Sequence, residues 1–179
     1  MKKLLIIVVV LALCGMASAQ GFKIGVAGDI AKPTGDWADY VDGSGWGAHA
    51  FAVVDIMVLT LTARVGYIDF GEYTVENELY KATVSTKAIP IMGGVRWECG
   101  LPVGPSVYVG AEAGVHTFTV DTQVSGLGSG IPTGAESETK FSFSPNVGVT
   151  FFGLDLCLYY MSIKDMSFYG ARLGYGIGF

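Results

Sequence analysis

Alternation of apolar and polar residues with a period of two constrains this chain more than any other feature. From Phe22 to Ile30, apolar side chains alternate with small or charged ones, and five later segments repeat the pattern. Successive side chains of a β-strand point to opposite faces, so this period indicates strands. Two further segments show the alternation less clearly: Trp46–Ile56 is apolar on both faces, and Leu154–Ser162 is nearly so. The pattern predicts eight strands, at 22–30, 46–56, 59–67, 87–98, 106–116, 140–151, 154–162 and 169–179.

The composition excludes several classes of protein. Hydrophobic residues make up 51% of the 179 residues and charged residues only 15%, which excludes intrinsic disorder. The net charge is −5 and lysines and arginines do not cluster, so nucleic-acid binding is not expected. The only apolar run of any length lies at the N-terminus, which excludes a protein with several membrane helices.

The N-terminus has the pattern of a cleavable signal peptide. Two lysines, Lys2 and Lys3, precede the apolar run Leu4–Leu13, and the small residues Ala17–Ala19 follow. We therefore expect a signal peptide at 1–19, cleavage before Gln20 and one exported domain at 20–179. An uncleaved membrane anchor is the alternative.

Long and short connections alternate between the predicted strands. Short links lie near Met57, at Gly100–Gly104 and at Gly153, whereas long ones span Lys32–Ser44, Glu72–Ser85 and Val120–Glu138. Tight turns at one end and long loops at the other are typical of a transmembrane β-barrel, and an even strand number leaves both termini at the turn end.

The two faces of the predicted strands favour a membrane barrel over a soluble one. One face of the clear strands is apolar throughout, while the other mixes small, polar and charged residues. An eight-stranded barrel has an interior just wide enough for side chains, which suits the mixed face. The sequence therefore predicts an all-β fold, an eight-stranded antiparallel transmembrane barrel with apolar side chains facing lipid.

Three segments carry a resemblance to a known family. Pro33–Asp36 follows the first predicted strand, Ile89–Arg96 lies in the fourth, and the chain ends in Tyr175–Phe179, where Tyr175, Ile177 and Phe179 alternate with glycines. In these segments the chain resembles the small eight-stranded outer-membrane barrels of Gram-negative bacteria, the OmpA/OmpX type, and particularly their generic β-barrel domain. The resemblance covers 21–179. It implies an outer-membrane location and recognition of the terminal residues by the outer-membrane assembly machinery, but no particular activity.

Charged residues on the mixed face should point into the lumen. Among them Asp29, Arg64, Glu112 and Arg172 lie near mid-height, and a lone charge in so narrow a space would be costly. We expect them to pair, with Glu112 contacting Arg64 or Arg172. Two interpretations are open: a permanently plugged core, or a gate whose pairs exchange. The other charges expected in the lumen are Lys23, Arg96, Glu98, Lys140 and Asp155.

No catalytic, metal or cofactor site is predicted. The two histidines, His49 and His116, could act only with a serine such as Ser44 or Ser142, and no local signature joins them. We expect both histidines to be packed in the lumen.

Two cysteines remain after signal cleavage. Cys99 and Cys157 form neither a disulfide framework nor a zinc site, and we expect two unpaired thiols.

The long loops carry the excess negative charge. They contain nine acidic and two basic residues, so their combined charge is −7, which is the whole net charge of the chain left after signal cleavage. Asp36, Asp39 and Asp42 could share a divalent cation, or the loops could simply be a solvated acidic surface. Aromatic residues at strand ends should form interfacial girdles, while the loop aromatics Trp37, Tyr40, Tyr73 and Tyr80 could form a binding surface.

Together these features predict a monomeric, integral outer-membrane protein without cofactor. Its expected role is structural or surface-interactive, with an acidic extracellular surface. Its expected partners are outer-membrane lipids, lipopolysaccharide and the assembly machinery. A narrow channel for small hydrophobic solutes is the first alternative, and an envelope lipid-modifying enzyme the second.

Overall fold

Eight antiparallel strands close into one barrel in the computed structural model, which describes residues 21–41, 43–56, 59–77, 80–100, 104–126 and 134–179. Each strand pairs with its neighbours in sequence, and the first pairs with the last. The predicted fold class is thus confirmed, and the predicted signal peptide lies outside the described residues. No helix in these ranges is long and apolar enough to cross a membrane. The strands are β1 Gly21–Thr34, β2 Gly45–Ile56, β3 Leu59–Asn77, β4 Tyr80–Gly100, β5 Ser106–Gly126, β6 Gly134–Phe151, β7 Leu154–Ile163 and β8 Met166–Gly178.

The period-two alternation places polar side chains inside the barrel and apolar ones outside. In β6, Ser142 and Ser144 are fully buried, whereas Phe141 and Phe143 are 67% and 46% exposed. Exposed aromatic residues lie towards both ends of the wall, with Trp46 and Tyr169 at the extracellular end and Trp97, Phe151 and Phe179 at the periplasmic end. An apolar band between aromatic girdles is the outer surface of a transmembrane barrel. Other exposed apolar side chains of the band are Ile24, Val26, Ile30, Leu61, Val65, Ile91, Val95, Val107, Val109, Val147, Leu156, Leu158, Leu173 and Ile177.

The prediction of two of the long loops is wrong, because strands continue through most of the residues assigned to them. Glu72–Ser85 contains the end of β3 and the start of β4, and Val120–Glu138 contains the end of β5 and the start of β6. The reason is a change in the alternation. In β5, large apolar residues stand at outward positions as far as Val115 and at inward positions from Phe118 onwards. Outside the membrane the outer face meets water, so the pattern of a lipid-facing strand ends although the strand itself does not.

The barrel wall is much taller on one side. Towards the extracellular end, the pairing of β2 with β3 stops at Trp46 and Asp69, and the pairing of β6 with β7 stops at Ser142 and Ile163. Beyond these points β3 to β6 continue as a four-stranded sheet, paired in register across β4 and β5 up to Tyr80 and Gly126. We call residues 70–77, 80–87, 117–126 and 134–141 the protruding sheet.

The remaining long connection, Lys32–Ser44, is partly structured. β1 extends to Thr34, and a 3₁₀ helix at Gly35–Tyr40 follows it. This helix lies over the extracellular mouth on the low side of the wall, where it contacts β1 and β8.

Candidate functional site

The extracellular third of the lumen is filled by an apolar plug. Phe70, Phe118 and Phe168 meet there, and each is at most 4% exposed. Trp37, on the 3₁₀ helix, packs over them with its ring centroid 4.7 Å from that of Phe70 and 6.1 Å from that of Phe168. Ile68, Met161 and Ile163 complete the plug. Trp37 therefore belongs to the plug and not to the loop binding surface for which the sequence made it a candidate.

Glu112 lies between two arginines at mid-height. The Nε atom of Arg64 donates a hydrogen bond of 2.7 Å to Glu112 Oε2, and Arg172 Nη2 lies 3.6 Å from Glu112 Oε1. The ring of Tyr159 faces both guanidinium groups, at 5.9 Å from Arg64 and 5.7 Å from Arg172. The structure thus brings Glu112 together with both arginines that the sequence offered as partners.

Asp29 contacts a histidine and not an arginine. Its Oδ2 atom lies 2.6 Å from His49 Nδ1, and both side chains are buried almost completely. Asp29 pairs with Gly47 across the β1–β2 ladder, so His49 is its diagonal neighbour on the same face. Sequence reasoning missed this contact because it depends on the register of β1 against β2, which no single-strand pattern reveals.

A second charged cluster surrounds a cavity at the periplasmic end. Arg96 contacts Glu98 at 2.5 Å and Asp155 at 2.9 Å, and its guanidinium lies 4.6 Å from the ring centroid of Tyr108. The hydroxyl of Tyr108 donates a 2.6 Å hydrogen bond to Asp155. The cavity has a volume of about 180 Å³ and is also lined by Lys23. A second cavity, lined by Arg64, Glu112 and Arg172, has a volume of only about 20 Å³.

The lumen therefore has three layers: a polar periplasmic cavity, a charged middle and an apolar extracellular plug. In the two lower layers each of the three arginines contacts a carboxylate, as buried charges require. Within the described residues, buried side chains fill both the middle layer and the plug.

One of the two serines considered for nucleophilic chemistry contacts a histidine. His116 Nδ1 lies 2.9 Å from Ser142 Oγ, a contact for which the sequence held no signal, since the two residues lie on β5 and β6. Both side chains are fully buried below Phe118 and Phe168, and Ser142 also contacts Met92. The pair therefore has no surface in contact with solvent. Ser44 lies apart, beyond the 3₁₀ helix.

The remaining candidate residues lie apart from the lumen charges. Tyr175, Ile177 and Phe179 all point outwards at the periplasmic rim, and Phe179 donates a 2.8 Å backbone hydrogen bond to Phe22 of β1. Cys99 is exposed, Cys157 is buried, and both are free thiols.

The described acidic residues do not form a metal site. Glu72, Glu76 and Asp121 lie on the protruding sheet, together with Glu136 and Glu138. The structure described here contains no group of three or more His, Cys, Asp or Glu side chains that could hold a metal ion. Asp42 and the side chains of Asp36 and Asp39 lie outside the described part, so the shared-cation hypothesis stays a prediction.

No protein-family model and no curated protein sequence matches the chain. Solved structures do match it. Ail, the attachment invasion locus protein of Yersinia pestis, was solved in complex with the heparin analogue sucrose octasulfate; it is 17% identical, with 89% of this chain and 97% of that chain covered and a TM-score of 0.54. Neisserial surface protein A is 15% identical, with 88% and 95% covered and a TM-score of 0.53.

These similarities concern the fold, and the predicted resemblance in fold is confirmed by them. The apolar band and its aromatic girdles indicate that the barrel spans a membrane. Transmembrane barrels of this kind, with an even number of strands, belong to the bacterial outer membrane. The chain is a small eight-stranded β-barrel of the outer membrane, with the fold of the OmpA/OmpX type.

Proposed function

We propose that this protein acts at the cell surface as a sealed barrel that binds extracellular partners through the protruding sheet. The observation that carries the proposal is the inner face of that sheet. Tyr73, Val84, Val120 and Val124 lie on it, directly above Phe118, and all four are only half-buried. Nothing in the described ranges covers them, and an uncovered apolar face at the cell surface is a site for a partner.

The edges of the protruding sheet support the same function. In the described residues, 70–77 of β3 pair only with β4, and 134–141 of β6 pair only with β5. Open edges offer unpaired backbone groups to which an extended segment can add as a further strand. The partner we infer is therefore an extended peptide segment with alternate apolar residues.

The charge of the protruding sheet specifies the partner further. Glu72, Glu76, Asp121, Glu136 and Glu138 face only a few lysines, of which Lys81 lies 3.7 Å from Glu76 and Lys140 lies 3.1 Å from Glu138. An acidic sheet attracts basic segments and repels acidic ones. The apolar positions of the partner should thus alternate with lysine or arginine.

A peptide of alternating valine and lysine tests this function. It is titrated into the barrel held in phospholipid nanodiscs, with calorimetry as the readout and a valine–glutamate peptide as its counterpart. Val84→Glu/Val120→Glu should abolish binding, whereas the matched pair on the outer face of the same strands, Thr83→Glu/Thr119→Glu, should retain it. Failure of the valine–lysine peptide to bind the unaltered protein, or equal loss in both variants, would contradict the proposal.

The layered lumen favours this role over the alternative of a channel for small hydrophobic solutes. Such a solute would have to cross both the plug and the charged middle layer, where the cavity beside Arg64 and Glu112 measures about 20 Å³. A lipid-modifying enzyme has no support from the buried His116–Ser142 pair.

A further inference from the structure

Hydroxyl side chains cover the outer face of β5 and β6 where the protruding sheet begins. Thr117 and Thr119 of β5 lie opposite Thr139 and Ser137 of β6. Their hydroxyl groups contact each other across the strands, at 3.0 Å for Thr117 and Thr139 and at 3.1 Å for Thr119 and Ser137. We call these four residues the hydroxyl quartet.

The height of the quartet determines what surrounds it. On β5, Thr117 is the next outward position above Val115, and on β6, Thr139 is the next outward position above Phe141. Both Val115 and Phe141 belong to the lipid-facing band. The quartet therefore continues the membrane-facing wall directly above the hydrocarbon. A molecule that touches the wall from the side at this height belongs to the head-group layer of the outer leaflet.

The chemistry of the quartet fits sugars. Two hydroxyl groups that share one hydrogen bond use one proton and leave one donor and several lone pairs for a ligand. Neighbouring strands lie about 4.8 Å apart and alternate residues about 6.8 Å apart, so the quartet presents a flat grid of hydroxyl groups on the scale of one or two sugar rings. Because β6 is an open edge here, the grid is accessible from the side.

One cation borders the quartet. Lys87 of β4 is the register partner of Thr119 and points to the same outer face, with Asp69 of β3 on its other side. The acidic residues Glu136 and Glu138 alternate with the quartet on β6 and therefore face the other side of the sheet. A phosphate group on a sugar bound to the quartet would therefore meet Lys87 and neither Glu136 nor Glu138. On the outer face itself, Asp69 lies on the far side of Lys87 and Asp121 lies one outward position beyond Thr119.

We propose that the hydroxyl quartet, with Lys87 beside it, is a docking site for the core saccharide of a neighbouring lipopolysaccharide molecule. The inference rests on the outer-membrane location and is independent of the extracellular partner proposed above. It assigns the two faces of the protruding sheet to different ligands: the outer face holds the sugars of the surrounding leaflet, and the inner face remains available to a partner.

Thermal unfolding of the refolded barrel tests the site with two probes, lipopolysaccharide with a phosphorylated core and lipid A without core sugars. The unaltered protein should unfold at a higher temperature with the core-bearing probe than with lipid A. Thr117→Val/Thr119→Val/Ser137→Ala/Thr139→Val should lose that difference, because valine keeps the branched shape and favours strands but offers no hydroxyl group.

Two controls make the result decisive. Thr86→Val/Thr122→Val removes two hydroxyl groups from the inner face of the same sheet and should keep the full difference. Lys87→Gln should reduce the difference with the phosphorylated core and leave it unchanged after enzymatic dephosphorylation. Equal unfolding temperatures with the two probes for the unaltered protein, or an unchanged difference in the quartet variant, would overturn the proposal. The peptide experiment contains no lipopolysaccharide, so either proposal can fail without the other.

Discussion

Single residues of the lumen decide whether the barrel holds together, and Glu112 is the clearest case. It lies between Arg64 and Arg172, so its removal leaves two buried cations without their shared carboxylate. Breaking a buried ion pair costs about 3–5 kcal/mol, and less where water reaches the site. Glu112→Ala should therefore lower the urea midpoint of unfolding markedly.

The matched control for Glu112 is Glu138, which contacts Lys140 at the surface with its side chain 66% exposed. Exposed pairs contribute about 0–1 kcal/mol, so Glu138→Ala should leave the midpoint almost unchanged. Similar midpoints for the two variants would show that the mid-lumen pairing is not what stabilises the barrel.

Two glycines, one on the inner and one on the outer face of the wall, provide a second variant with its matched control. A Cβ atom on Gly148 would overlap the ring of Tyr108 inside the lumen, whereas one on Gly93 would face lipid with nothing nearer than the Thr62 carbonyl oxygen at 3.8 Å. Gly148→Ala should lower the unfolding midpoint and Gly93→Ala should not. The reverse order, measured in the same refolding buffer, would mean that the faces are assigned wrongly.

At the scale of elements, the 3₁₀ helix is the device that closes the plug. Met161, the register partner of Phe168, is fully buried in the plug against which Trp37 packs. Trp37→Ala should expose the plug to water, and Met161 should then be oxidised faster by hydrogen peroxide, as measured by peptide mass spectrometry. The lipid-facing Trp46→Ala serves as control and should leave Met161 protected. Equal oxidation rates would show that the helix does not seal the lumen.

The last residue of the chain extends the pairing of β8 with β1 at the periplasmic rim. Phe179 donates a backbone hydrogen bond to Phe22, and the two rings stack with centroids 6.4 Å apart. Deletion of Phe179 should lower the amount of heat-modifiable barrel in the outer-membrane fraction without reducing export. Phe179→Tyr, which keeps the ring and the backbone contact, should assemble normally. Full assembly of the deletion variant would argue against an assembly role for the terminus.

Elements also show how far sequence reasoning reaches. The alternation in β5 and β6 assigns each side chain to a face without knowledge of any partner, which is why the lumen position of Glu112 could be predicted. The protruding sheet could not be predicted in this way, because the large apolar residues change from the outer to the inner face at the membrane boundary. On β5, Val115 faces lipid, whereas Phe118 faces inwards. The Asp29–His49 and His116–Ser142 contacts depend on register between strands, which a single sequence does not contain.

At the scale of the whole molecule, the barrel separates its functions by layer. The charged middle and the apolar plug close the lumen, while the surfaces that face other molecules are the outer wall and the protruding sheet. The same eight strands thus anchor the protein in lipid and carry a recognition sheet beyond it, with the phase change in β4 and β5 marking the boundary.

The central claim is that this protein is sealed and acts through its surfaces. Conductance across a planar lipid bilayer that contains the refolded barrel tests it most directly. We expect no regular conductance steps for the unaltered protein, because the plug and the Arg64–Glu112–Arg172 layer interrupt the lumen. Reproducible steps of uniform size from barrels of verified heat-modifiable migration would contradict the account and favour a channel.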